Sequence, residues 1–194
     1  STQGKWAIAV VELESLPRQA WSPRFQLALA EVYLRNDRPE NALSVLDPLV
    51  KRFPTFVVAR YLLAHAALAT NRGDKALAEL QEVLRAAPTN TNARFSLGVA
   101  YTQAGQFAEA LDTFAGLRPT MERQSIYHLQ RARALAGLAR WDEAFAASVL
   151  ARRIDPNRAE PYETLAHIYL ARKDTARAQD MYARAIELKP DLTS

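Results

Sequence analysis

The stretch AEPYETLAHIYLARKDTARAQDMYARAIELKP, residues 159–190, decides the fold. Tyr162, Leu165, Ala166 and Tyr169 stand at i, i+3, i+4 and i+7, which puts them on one face of a first helix. Ala178, Tyr182 and Ala185 mark one face of a second helix. Pro190 ends it, because proline lacks the amide proton and crowds the preceding turn. Ala166 and Ala178 sit where the two helices meet, and small side chains there let the backbones approach closely.

Outward from this hairpin the pattern repeats. Prolines recur at 54, 88, 156 and 190, at spacings of 34, 68 and 34. Leu29-Ala30, Leu63-Ala64, Leu97-Gly98 and Leu165-Ala166 keep the same step, with Arg131-Ala132 in the fourth place. A second alanine follows each small residue by 12, at Ala42, Ala76, Ala110, Ala144 and Ala178. Five units without insertion therefore run 23–56, 57–90, 91–124, 125–158 and 159–194, the last with a short tail. Positions are numbered 1 to 34 within each unit. One hairpin cannot bury both its faces, so neighbouring hairpins must stack to complete a core.

Composition agrees. Ala, Leu and Arg number 36, 25 and 20 of 194 residues, whereas Val and Ile together reach 15. The first three favour helix and the last two favour sheet, so the chain reads as all-α. The absence of cysteine excludes a disulfide scaffold, an iron–sulfur site and a thiol nucleophile. The longest apolar stretch, Val57 to Ala69, is interrupted by Arg60 and His65, too short and too polar to insert in a membrane. The net charge is +4, but acids are interleaved with the arginines and no long basic run exists. Residues 1–15 show no basic segment followed by an apolar block, so periplasm and cytoplasm both stay open.

On these residues the chain resembles the tetratricopeptide repeat family. Its consensus places Trp or Leu at position 4, Leu and Gly or Ala at 7 and 8, Tyr at 11, Ala at 20, Phe or Tyr at 24, Ala at 27 and Pro at 32. The third unit carries Leu97, Gly98, Tyr101, Ala110 and Phe114 in the matching places, with its proline early at Pro119. The resemblance implies a right-handed α-solenoid of helix-turn-helix repeats. Residues 4–16 align with 105–117, so residues 1–22 are expected to be the second helix of a truncated preceding repeat plus a connector. A natural N-terminal cap helix is the alternative. No polar capping helix follows Pro190, and the chain is expected to be a piece of a longer array.

Chemistry is scarce. His65 and His167 share position 9 but lie three units apart, too distant to hold one metal, and His128 stands alone at position 4. No glycine-rich phosphate loop and no Ser-His-Asp or paired-carboxylate spacing is present. No catalysis, no metal and no cofactor is therefore expected. The resemblance implies instead a concave groove, lined by positions 2, 5, 9, 12 and 13 of each first helix. Within that set, Leu27, Val58, Tyr61, His65, Asn92, Phe95, Val99, Ile126, Leu129 and Arg133 are the candidate partner-binding residues. Apolar and aromatic side chains dominate its middle, as in interface hot spots. Val58 and Ile126 could equally face the neighbouring repeat, and Asn92 could cap its helix. Glu79 is expected on the outer face.

No lysine occupies a groove position, which argues against the carboxylate clamp by which some family members hold chaperone C-termini. The expected ligand is an apolar or amphipathic peptide or partner surface. The leading reading is a protein-interaction scaffold; long bacterial arrays of this kind serve in envelope assembly and polysaccharide export. A docking or regulatory arm of an enzyme is the alternative. Nucleic acid is not expected, since the period is 34 and the groove centre is apolar rather than basic. Self-association through exposed repeat ends is a further possibility. The fourth unit departs most, with His128, Arg131 and Ser148 at positions 4, 7 and 24. Residues 118–158 hold eight arginines against four carboxylates, and Arg131 is expected either to extend its stem to solvent or to join Arg133, Arg152 and Arg153 in a site for an acidic partner.

Overall fold

A computed structural model describes residues 21–189, all of whose regular elements are helices. The expectations for residues 4–16 and for Pro190 lie outside the described residues. The chain divides into two compact units, Ser1–Ala104 and Gly105–Ser194.

The first unit contains α1 (Pro23–Arg35), α2 (Pro39–Arg52), α3 (Val57–Ala69), α4 (Gly73–Ala86) and α5 (Thr91–Gln103). Consecutive helices pack together, and α3 also touches both α1 and α5. Local chemistry sets the starts. Ser22 Oγ accepts from Phe25 N at 3.2 Å ahead of Pro23, and Asn90 Oδ1 accepts from Ala93 N at 3.0 Å. The core is built from Leu29, Ala30, Ala42, Leu46, Leu63, Ala64, Ala76 and Leu80, each no more than 1% exposed. Truncating any of these leucines to alanine costs about 2–5 kcal/mol.

The second unit contains α6 (Phe107–Ala115), α7 (Arg118–Met121), α8 (Ser125–Gly137), α9 (Trp141–Ile154), α10 (Glu160–Ala171) and α11 (Thr175–Leu188). Here α6 packs on α8, α8 on α9 and α10, and α10 on α9 and α11. At 9 residues α6 is shorter than the 14-residue α9 and α11. Pro119 is the cause: continuing the helix would require its missing amide to reach Ala115 O and would push its ring against that carbonyl. The chain breaks at Gly116 and Leu117 and resumes as the single turn α7.

Two periodic devices hold the hairpins, and neither is visible as an apolar pattern. At position 15 the backbone is left-handed every time, with φ of 55° at Asp37, 57° at Asn71, 75° at Gly105, 55° at Ala139 and 61° at Lys173. Four of these turns close by the same pair of bonds, for example Ala139 N to Ala136 O and Arg140 N to Leu135 O, both 2.9 Å. That is the Schellman closure of a helix C-terminus. At position 4, every side chain donates to a backbone carbonyl of the preceding connector. Gln26 reaches Trp21 O, Arg60 reaches Pro54 O, Arg94 reaches Pro88 O and Tyr162 reaches Pro156 O. His128 Nε2 lies 2.6 Å from Glu122 O, an acceptor only, which puts the ring proton on Nε2. His128 is therefore no departure from the repeat: position 4 selects a donor, and an imidazole supplies one.

Candidate partner-binding faces

In the first unit, α1, α3 and α5 present Leu27, Tyr61, His65, Phe95 and Val99 as half-buried side chains. Val58 is 50% exposed, so its side chain belongs to the surface. Asn92 is also exposed, and the capping role falls to Asn90 two residues earlier. The face is organised around His65. Its ring meets Tyr61 edge-on at a centroid distance of 4.5 Å, and its Nε2 lies 3.3 Å from the hydroxyl of the buried Ser96. Gln103 Nε2 donates to Leu68 O at 3.1 Å and ties the end of α5 to α3. Close approach at that end needs Gly73, since a Cβ there would lie 3.0 Å from Ala104 N.

Burial alone pushes the His65 pKa below the ordinary 6.5, so the imidazole is neutral at pH 7. No carboxylate contributes to that shift, and the His65–Ser96 pair lacks the acid that orients a nucleophile-activating histidine. The pair offers a binding group a weakly polar, uncharged centre within an aromatic and aliphatic frame. Among the described residues, no group of three or more His, Asp or Glu side chains could hold a metal ion, and no helix is long and apolar enough to cross a membrane.

In the second unit the candidates separate. Ile126 is half-buried and Arg133 exposed, but Leu129 is only 1% exposed. Leu129 is thus a core residue and is withdrawn from the binding face; position 5 of α8 packs inward where Tyr61 and Phe95 stay accessible. Glu79 is likewise corrected. It is paired with Arg60 at 2.5 Å, both side chains 17% exposed, so it is not the freely exposed position a control needs.

Arg131 is half-buried, and its guanidinium lies over the Tyr127 ring, 5.7 Å from the centroid. Tyr127 is 1% exposed and donates its hydroxyl to Phe114 O at 3.0 Å. Two adjoining cavities, each about 370 Å³, meet along Arg118, Tyr127 and Arg131. Arg152 and Arg153 do not line either cavity; Arg152 lies over Tyr162 instead. Sequence reasoning found Arg131 but missed Arg118 and Arg123, whose proximity depends on the break after α6.

Profiles of the tetratricopeptide repeat family match residues 27–91, 67–134 and 159–192. No curated protein matches the sequence. A tetratricopeptide repeat protein from Parabacteroides merdae superposes with a TM-score of 0.79 at 20% identity, covering 96% of this chain and 73% of that one. A thermophilic protein of the same kind from Thermus thermophilus gives 0.72 at 23% identity, covering 87% and 92%. MamA from Desulfovibrio magneticus gives 0.68 at 17%, covering 89% and 97%. At these identities the likeness is one of fold, an α-solenoid.

Proposed function

Because the chain belongs to the tetratricopeptide repeat family, whose members are in general protein-interaction scaffolds without chemistry of their own, we propose that it holds an apolar or amphipathic segment of a partner protein against the first-helix face of residues 21–104. Tyr61 and Phe95 act as rigid anchors, Leu27 and Val99 complete the apolar frame, and Val58 and Asn92 border it. The observation that carries this reading is the His65 centre: a neutral imidazole, hydrogen-bonded to Ser96 and walled by Tyr61, in a face without lysine. Such a surface favours aromatic and aliphatic side chains and disfavours a bare carboxylate. Partially exposed aromatics lose little conformational freedom on binding, which is why they dominate interface energetics.

The test is site-specific photo-crosslinking of the protein in its source cells. A crosslinking residue replaces Phe95 in one version and the exposed Gln81 of α4 in a control. A single protein captured from Phe95 and not from Gln81, with capture lost on Tyr61→Ala, is the expected result. Equal capture at the two positions, or none at either, refutes the face.

A further inference from the structure

We propose that the cavity beside the broken α6–α7 segment is a second docking site, chemically distinct from the first, for an acidic amphipathic segment of a protein partner. It is lined by Arg118, Arg123 and Arg131 over Tyr127 and His128, with Leu150 of α9 at its edge. Glu122 is the carboxylate in this lining, and it is held 3.6 Å from Arg118. Of the other carboxylates nearby, three are engaged by other arginines, while Asp112 lines the adjoining cavity that shares Arg118 and Arg131. Glu143 takes a two-pronged pair of 2.7 Å bonds from Arg140, Asp142 pairs with Arg172, and Asp155 with Arg158. Among the described residues, no carboxylate lies within ion-pair distance of Arg123 or Arg131.

The guanidinium of Arg131 lies over the Tyr127 ring, which is anchored by its hydrogen bond to the Phe114 carbonyl. The planar fork of a guanidinium matches a carboxylate with two parallel bonds, so an acidic side chain suits this place. Leu150 is 40% exposed and Ile154, one turn further along α9, is 38% exposed. Apolar side chains near Arg123 and Arg131, which have no ion-pair partner among the described residues, match a segment in which acids alternate with leucine-like residues. Single-stranded nucleic acid fits less well. The aromatic ring of the cavity is buried and cannot stack a base, and Glu122 would face the phosphates.

The test is fluorescence anisotropy on the full chain with three labelled probes: a dodecapeptide of repeated Glu-Leu-Asp-Glu, its Gln-Leu-Asn-Gln counterpart, and a thymidine dodecanucleotide. The acidic peptide is expected to bind, more weakly at higher salt, and roughly tenfold tighter than the amide peptide. Arg123→Glu, at an exposed position, should lower that affinity by about tenfold or more, and Leu150→Ser by about threefold. Arg177→Gln on α11 and Gln81→Ala on α4 should each leave it within about twofold, and since this readout turns on Arg123 and Leu150 rather than on Tyr61 or Phe95, failure here is distinguishable from failure of the first site. Arg131→Gln is read beside Arg123→Glu, because Arg131 also covers Tyr127. No binding, equal binding of the amide peptide, an unchanged affinity in Arg123→Glu, or equal binding of the oligonucleotide with the same losses would each overturn the proposal.

Discussion

Ala139 occupies a left-handed backbone position with φ of 55° and is exposed, so its methyl group has no packing to lose. The two 2.9 Å Schellman bonds through Ala139 N and Arg140 N hold the residue in that conformation. For an L-residue the left-handed region costs about 1–2 kcal/mol, from the clash between Cβ and the neighbouring carbonyl. Ala139→Gly removes that clash, while the greater freedom of glycine in the unfolded chain takes back roughly 0.4–1 kcal/mol. The net expectation is a gain of about 0.5–1 kcal/mol. The mirror experiment is Gly105→Ala, at φ 75°, where an added Cβ meets nothing within 4 Å and the cost is conformational alone. By the same balance it should destabilise by about 0.5–1 kcal/mol. Urea unfolding followed by circular dichroism measures both, with midpoint shifts of opposite sign and unchanged slopes. A loss of stability in Ala139→Gly, or an unshifted midpoint in Gly105→Ala, would refute the claim that position 15 is uniformly left-handed.

His65 gives a pH signature. Its folded pKa lies below the unfolded 6.5, so the two states bind protons equally above that value and the unfolded chain binds more as pH falls below it. Stability is therefore lost on acidification through this window, and His65→Gln should flatten that part of the profile in urea melts taken at a series of pH values. Ser148 is 0% exposed and its hydroxyl has no partner, so Ser148→Ala should stabilise by about 1 kcal/mol in the same assay. Gly137→Ala would ordinarily favour its helix by about 1 kcal/mol. Here the new Cβ would lie 2.5 Å from the Phe107 ring, so a net loss of about 1–2 kcal/mol is expected, relieved by Phe107→Leu. A stabilised Gly137→Ala would show that the ring moves aside freely.

The repeat was legible because stacking forces the same small and large residues onto the same positions, and Leu63-Ala64 or Ala76 announce that demand in any unit. What escaped were positions set by backbone chemistry rather than by burial. Asp37, Asn71, Gly105, Ala139 and Lys173 share a conformation but no side-chain property, so no hydrophobic pattern records it. Gln26, Arg60, Arg94, His128 and Tyr162 look unrelated until each is seen to supply a donor to a connector carbonyl. Of the candidate site, the partial exposure of Tyr61 and Phe95 was readable from their position in the repeat. Leu129 was not, because the same position packs inward on α8. The partnership of His65 with Ser96 was also hidden, since it joins two helices 31 residues apart along the chain.

The departures at the end of the third unit and in the fourth gain their meaning from where they converge. An early proline, an arginine at the leucine position and an exposed leucine on α9 would each count as a local defect if scattered. They meet instead on one cavity: Pro119 interrupts the helix and so brings Arg118 and Arg123 beside Arg131, while Leu150 stands at the rim. Random drift in a repeat array distributes its irregularities over all the hairpins, each tolerated where packing allows. Irregularities that converge on one cavity, Ser148 apart, support the second docking site proposed above. On the two proposals together, the chain carries two recognition surfaces of opposite character: an uncharged aromatic face organised by His65, and a cationic cleft organised by Tyr127. A scaffold so equipped can discriminate between partners by charge alone, which is the property the three-probe experiment measures.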